Sequence, residues 1–329
     1  MWLDDAYQYL GWPKPDQVKS PSGGGPSHYA RQVEQKIGAA LKRWCLQREP
    51  LCVFNLQTGI LAADPTADSA ESPLAVVLQF DQTVSDGVLR EAHRLCWNFS
   101  RTALLVTLEP TRIQAWTCTL APRKKSRLDK FRVLRPLELT QGETPASVLQ
   151  TEAAQVLHWV NLVSGEFLRQ HESKFRKEER ADALLVSNLR AVRKQLLDAG
   201  LDRDICHALL ARLIFTQFLF QRTDSDGRPA ISQTTLDGRF DGVLKKDYQH
   251  ATALGKILES KEETYALFYW LNEKFNGDLF PGKGTEDERE AEWKREKRNV
   301  TLAHLKILAE FVSGTINLDD RQQSMWPEY

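Results

Sequence analysis

Between Pro122 and Pro136 the chain carries Arg123, Lys124, Lys125, Arg127, Lys130, Arg132 and Arg135 within thirteen residues, with Asp129 as the only acid. Cations at this density suit a polyanion, because each phosphate they neutralise releases condensed counterions and adds salt-sensitive affinity. The alternative is a solvated interdomain loop or an edge hairpin, the ordinary fate of a charge run. The whole chain balances 44 basic against 44 acidic side chains, so any basic face must be local. His207 has no carboxylate three or four residues on to orient it, so it reads as a satisfied core or boundary histidine. Arg222–Pro229 contains a D-x-D-G run, but no Glu follows at calcium-loop spacing, which leaves a turn. Cys45, Cys52, Cys96, Cys118 and Cys206 sit among apolar neighbours without C-x-x-C spacing, as expected of free thiols in a reducing cytoplasm. G-x-G-x-x-G, Walker, H-E-x-x-H and G-x-S-x-G patterns are absent.

The elements that carry these residues divide in two. A length of 329 residues and a mean hydropathy of -0.44 fit a soluble globular protein of about two domains. No apolar run approaches the ~18 residues of a membrane span, and residues 1–13 lack the basic start of a secretory signal, so a cytoplasmic location is expected. A Gly- and Pro-rich joint at 19–27 ends on a Ser27 helix cap, and Val33, Ile37, Ala40, Leu41 and Trp44 then recur at helical spacing. Residues 51–56 and 59–63 read as two short strands separated by a turn, and 74–80 as a strand buried on both faces. Residues 84–98 form an amphipathic helix with Val88, Leu89, Ala92, Leu95 and Cys96 inward, and 103–108 and 112–118 form a strand pair. From Thr144 on the period is helical: 146–163, a long charged helix from Glu166 to a Gly200 stop, and an apolar helix over 205–220 capped by Asp204. Helices follow at 247–258, 261–275 and 301–311, with a dense charged stretch over 285–298.

Helix, two short strands, buried strand, helix, two strands: this order resembles the core of the PD-(D/E)-x-K nuclease superfamily. The resemblance implies metal-binding carboxylates on neighbouring strands and a lysine that activates water. Here the buried strand reads Val77-Leu-Gln-Phe-Asp81, with Gln79 and Asp81 where the acid and lysine belong. Asp64 and Asp68 are candidates for the upstream acid and Glu34 for the helix acid. A neutral amide is a weak ligand for Mg²⁺, so a degenerate version of the fold is expected, with Mg²⁺ relevant only to an active site of non-standard composition.

Three further stretches, 206–222, 268–281 (FYWLNEKFNGDLFP) and 308–314 with Trp326-Pro-Glu-Tyr329, resemble the region upstream of the methylase domain in type IIG-like restriction–modification enzymes and related adenine-specific DNA methyltransferases of phage defence. In that family a nuclease-like domain is joined by a helical connector to an S-adenosylmethionine-dependent methylase and a target-recognition domain. The methylase's F-x-G-x-G and N-P-P-[YF] motifs are absent here, so S-adenosylmethionine belongs to a methylase domain or subunit outside this chain. The expected class is α+β. An N-terminal arm (1–26) leads into a degenerate PD-(D/E)-x-K nuclease-like α/β domain (27–121), a basic linker (122–136) and a mainly helical connector (137–329).

The resemblance thus implies a DNA-positioning N-terminal part of a restriction–modification or phage-defence methyltransferase, with double-stranded DNA and the methylase as partners and no membrane. Its DNA-binding candidates are Arg123, Lys124, Lys125, Arg127, Lys130 and Arg132. The rival readings are an active metal-dependent endonuclease and a protein-interaction scaffold without DNA contact.

Overall fold

The computed structural model describes residues 2–14, 28–49, 54–62, 73–122, 126–175, 179–221, 229–250, 252–275, 279–280, 285–318 and 321–322. The joint at 19–27, Cys52 and the 222–228 turn lie outside these residues. The architecture is α+β, in two compact units that divide between Leu184 and Leu185.

In the first unit a five-stranded mixed sheet runs in the order β1 (Leu56–Leu61), β2 (Ala75–Phe80), β3 (Leu104–Glu109), β4 (Arg112–Thr117) and β5 (Leu137–Glu138). β2 and β3 are parallel and the other neighbours antiparallel. The parallel pair needs a crossover, supplied by the amphipathic helix α4 (Asp86–Phe99). Ser85 caps it by accepting the Val88 N–H, and Ser100 ends it in the left-handed region at φ 55°. β2 is buried at every position, as its apolar run demands.

Where two strands separated by a turn were expected at 51–63, one strand runs through Gly59, which stands opposite Val77. Pairing with β2 on both sides of Gly59 outweighs the turn preference of Thr-Gly. After α1 (Trp2–Tyr9), the helix expected beyond Ser27 is present as α2 (His28–Val33) and α3 (Ala39–Arg48), joined by a π-helical segment at Glu34–Gly38. At Gly38 the helix presses against β1, since a Cβ there would stand 2.8 Å from Thr58 Cγ2.

One face of the sheet, with Leu56, Ile60, Val76, Leu78, Leu105 and Trp116, packs under α2–α4. The other, with Val77, Val106 and Ala115, is covered from the beginning and from the later part of this unit's sequence. Trp2, Ala6, Leu10 and Trp12 are buried there, and Trp12 donates Nε1–H to the Leu157 carbonyl at 2.9 Å. The described part of the expected arm is therefore core. The same face takes up α5 (Pro145–Leu149), α6 (Glu152–Gln155), α7 (Trp159–Val163) and α8 (Glu166–Gln170) through Val148, Leu149, Leu157, Leu162 and Phe167. This apolar seam keeps 137–184 with the sheet, so the boundary expected at 136/137 moves to 184/185. The helix expected at 166–200 is divided between α8 and α9, and the one expected at 146–163 breaks where side chains satisfy backbone groups better than a continued helix would. Thr151 donates to the Val148 carbonyl, and His158 Nδ1 accepts the Val160 N–H. Ala153 and Val160, expected inside, are exposed.

The second unit is helical: α9 (Ala181–Asp198, whose first turn holds the boundary), α10 (Arg203–Gln221), α11 (Gln233–Asp237), α12 (Arg239–Gly242), α13 (Ala253–Leu258), α14 (Lys261–Lys274), α15 (Glu286–Asn299) and α16 (Leu302–Val312), with a minimal hairpin of β6 (Asn317–Leu318) and β7 (Arg321–Gln322). Gly200 ends α9 as expected, at φ +88°, with Gly200 N bonded to the Leu197 carbonyl and Leu201 N to that of Leu196. The cap of α10 is Asp202 rather than Asp204: its carboxylate accepts the N–H groups of Asp204 and Ile205. The stretch 247–250 is not helical and α13 begins only at Ala253. The charged stretch at 285 onward is helix α15, opened by a capping box of Thr285 and Glu288.

Candidate nucleic-acid interface

The basic stretch is mounted on the first unit, not strung between domains. Its first three cations, Arg123, Lys124 and Lys125, lie outside the described residues. Beyond them the Ser126 carbonyl accepts Nη1–H of Arg90, on α4, at 2.6 Å. Leu128–Phe131 then forms a 3₁₀ turn. With three residues per turn, side chains three apart stack above one another, and the sequence sorts into three ridges. Leu128 and Phe131 make the buried ridge, inside the core under α4. Arg127 and Lys130 make the exposed ridge. Asp129 and Arg132 make the third, ion-paired at 2.7 Å.

Each ridge has a distinct consequence. Arg132 is not free for an outside ligand: it donates to Gln114 Oε1 at 3.0 Å and its guanidinium lies 5.3 Å from the centre of the Trp116 ring. A bridge between Trp116 and Arg132, the Val133 N–H to Ala115 carbonyl bond and β5 extend the segment along the outer edge of β4. Arg127 is 89% exposed, with a loose 3.5 Å contact to Asp129. Lys130 and Arg135 are exposed and make no ion pair with a described residue.

The buried ridge rests on His93, one turn after Leu89 on α4. Its ring stacks on Phe131, centroids 4.3 Å apart at 27°. Nε2 lies 2.7 Å from the Thr117 carbonyl, which can only accept, so Nε2 carries the proton and the ring is the Nε2–H tautomer. Nδ1 is buried without a hydrogen-bond partner. Burial pulls the pKa down to about 4; the bond to Thr117 opposes this and Arg90 adds to it. His93 is therefore a neutral, rigid pad at physiological pH. Beside it, burial and contact with Cys96 push the Cys118 thiol well up, so both cysteines act as apolar filler; they, Cys45 and Cys206 are buried.

A second buried group fixes the loop that leads into α4. The carboxylate of Glu109, at the end of β3, accepts the Val84 N–H at 2.9 Å, two bonds from Arg112 and one from Gln114. Every bond direction of Glu109 is thus used inside the protein. Composition and spacing did not single out His93 or Glu109. Only position points to them: His93 lies four residues after Leu89 and three before Cys96, on the inward stripe of α4.

The nuclease-type candidates do not converge. Residues paired across two strands share a face, so Gln57 and Gln79 stand together, their amides 3.3 Å apart, with Asn55 and Asp81 next on that side. Both carboxylate oxygens of Asp81 accept bonds from Asn55, backbone and side chain, at 2.8 Å. Glu34 sits over the opposite face, bonded to Thr58 Oγ1 and 4.0 Å from Lys42. Asp64 and Asp68 lie outside the described residues. Among the described residues no group of three or more His, Cys, Asp or Glu side chains is placed to hold a metal. Among the described candidates, an amide, a carboxylate already committed to Asn55 and a glutamate across the sheet do not fit Mg²⁺. In the second unit His207 is exposed, and Nε–H of Arg193 donates to its Nε2 at 2.8 Å.

Comparison with family models, curated proteins and solved structures found no match. Among the described residues no helix is long and apolar enough to cross a membrane.

Proposed function

We propose that this chain is the DNA-positioning N-terminal part of a restriction–modification or phage-defence DNA methyltransferase. It grips duplex DNA by its phosphates, and the methyl transfer, with its S-adenosylmethionine, is the work of a methylase domain or subunit. The observation that carries this reading is the mounting of the basic stretch: Leu128 and Phe131 anchor a 3₁₀ turn whose opposite ridge offers Arg127 and Lys130 to solvent. A cation on a fixed mount loses less backbone entropy on meeting a phosphate than one on a free loop. Arg127 and Lys130 stand on a short turn at the rim of the sheet, which suits contacts to phosphates, and such contacts carry no sequence information.

The test is binding of the purified chain to a duplex of ~30 base pairs, long enough for the ~10 phosphate contacts of a sizeable interface, across a salt series. Wild type should bind with a marked salt slope. Arg127→Gln with Lys130→Gln should flatten that slope by about 2, since each phosphate contact contributes ~0.9, and should do so equally on unrelated sequences. An unchanged slope would refute the reading, as would no binding at low salt. Co-purification with a methylase subunit tests the second half of the proposal. The endonuclease reading has less support, because its candidate ligands are divided between two faces of the sheet.

A further inference from the structure

We propose that the C-terminal turns of α15, in the second unit, form a second phosphate-contact surface for duplex DNA, built from residues separate from those of the first. The proposal rests on the DNA-positioning reading and extends it to a region that composition marked only as charged.

The argument starts from how α15 distributes its charge. Asp287, Glu288, Glu290 and Glu292 occupy its first half, and Lys294, Arg295, Lys297 and Arg298 its last turns. The helix dipole favours this polarity and accounts for part of it. What the dipole does not explain is the fate of Glu296, the acid among those cations. It is 4% exposed, turned into the core, where Arg212 of α10 meets it at 2.5 Å and Tyr265 of α14 donates to it at 3.0 Å. Its charge is spent inside the protein, so the outer face of this segment is purely cationic.

The cations are also held in place. Lys294 is compensated by Glu290 at 2.7 Å. Arg295, Lys297 and Arg298 make no ion pair with a described acid. Lys297 Nζ lies 5.2 Å and 5.0 Å from the ring centres of Tyr265 and Tyr269. Arg298 Nε–H reaches back to the Lys294 carbonyl at 3.3 Å. Trp293, 4% exposed, pins the helix to the core and packs at a tilt of 36° against the part-exposed Tyr269 with centroids 4.4 Å apart. Because Tyr269 is already engaged by Trp293 and Lys297, the aromatic pair steadies cations and offers little to stack a base on. The surface therefore fits the backbone of duplex DNA better than a single strand.

The experiment compares four forms of the full chain on one duplex across a salt series: wild type, Arg127→Gln/Lys130→Gln, Arg295→Gln/Lys297→Gln/Arg298→Gln, and all five changes together. The α15 variant should flatten the salt slope by about 2 to 3, additively with the first-unit variant. Lys297→Arg alone should keep the wild-type slope, and thermal unfolding of Arg127→Gln/Lys130→Gln and of Arg295→Gln/Arg298→Gln should match wild type, because those four positions are exposed, whereas Lys297 is half-buried against Tyr265 and Tyr269 and its glutamine variant should unfold slightly earlier. If the α15 variant keeps the wild-type slope while the first-unit variant flattens it, this proposal falls and the DNA-positioning reading stands. If only the α15 variant flattens it, the second surface stands and the first-unit grip falls. A wild-type chain that fails to bind at low salt overturns both.

Discussion

Acidification should weaken the first unit through His93. The folded ring is neutral, with its pKa pulled down to about 4 against an ordinary 6.5. As pH falls through 6.5 the unfolded chain takes up a proton there and the folded chain does not. Stability is then lost at about 1.4 kcal/mol per pH unit until the folded ring also protonates near pH 4. The contribution is fully present above 6.5 and about 3 kcal/mol of it is gone by pH 4, with about 2.5 kcal/mol gone at pH 4.5. The structure supplies the cause: a proton on Nδ1 would place charge in a fully buried site, against the Phe131 ring, with no acceptor at hand. The assay is urea unfolding at pH 7.0, 5.5 and 4.5, read by hydrogen exchange of β3 and β4 amides so that the first unit is followed by itself. His93→Gln keeps a donor for the Thr117 carbonyl and cannot titrate. It should be the less stable form at pH 7 and close the gap by about 2.5 kcal/mol at pH 4.5. A gap that stays constant over this range would refute the reasoning, whatever other groups titrate in both proteins.

Two further substitutions probe the supports of each unit. Arg212→Met should strand the Glu296 carboxylate in the core of the second unit and cost about 3 to 5 kcal/mol, read as a lower urea midpoint. Pairing it with Glu296→Leu should recover most of that loss, because two apolar side chains avoid the desolvation that a lone buried charge suffers. Gly38→Ala puts a Cβ 2.8 Å from Thr58 Cγ2 and 3.0 Å from Glu34 Oε2. It should destabilise the first unit by about 1 to 3 kcal/mol. Thr58→Ser in the same chain should restore part of that stability in denaturant titrations, since it removes the methyl group that the new Cβ meets.

Local sequence pattern located most of the elements but not their grouping. The stripe Val88, Leu89, Ala92, Cys96 gave α4, and the uninterrupted apolar run gave a fully buried β2, because both signals depend only on neighbours a few residues apart. Gly200 marked its helix end for the same local reason. The grouping of elements depends on contacts across the chain: Trp12 meets Leu157, and Trp159 N bonds to the Leu10 carbonyl. Residues 2–14 and 137–184 therefore looked like an arm and a helical extension when each is half of the cover on one face of the sheet. The change of composition at Pro122 coincided with the edge of the sheet, not with a boundary between units.

The basic stretch shows the same division at the level of one turn. Its sequence shows seven cations within thirteen residues, and charge alone treats them as equivalent. The 3₁₀ turn separates them: Arg132 is committed to Asp129, Gln114 and Trp116, whereas Arg127 and Lys130 are carried outward. What separates them is the placement of Leu128 and Phe131, and Phe131 is held by a histidine thirty-eight residues earlier in the chain. A substitution at His93 thus reaches the candidate interface without touching a charge. It should loosen the mount of Arg127 and Lys130, raising the entropy lost when they meet a phosphate, while the number of cations stays the same. Fewer cations would flatten the salt slope; a looser mount should lower affinity at every salt concentration and leave the slope intact.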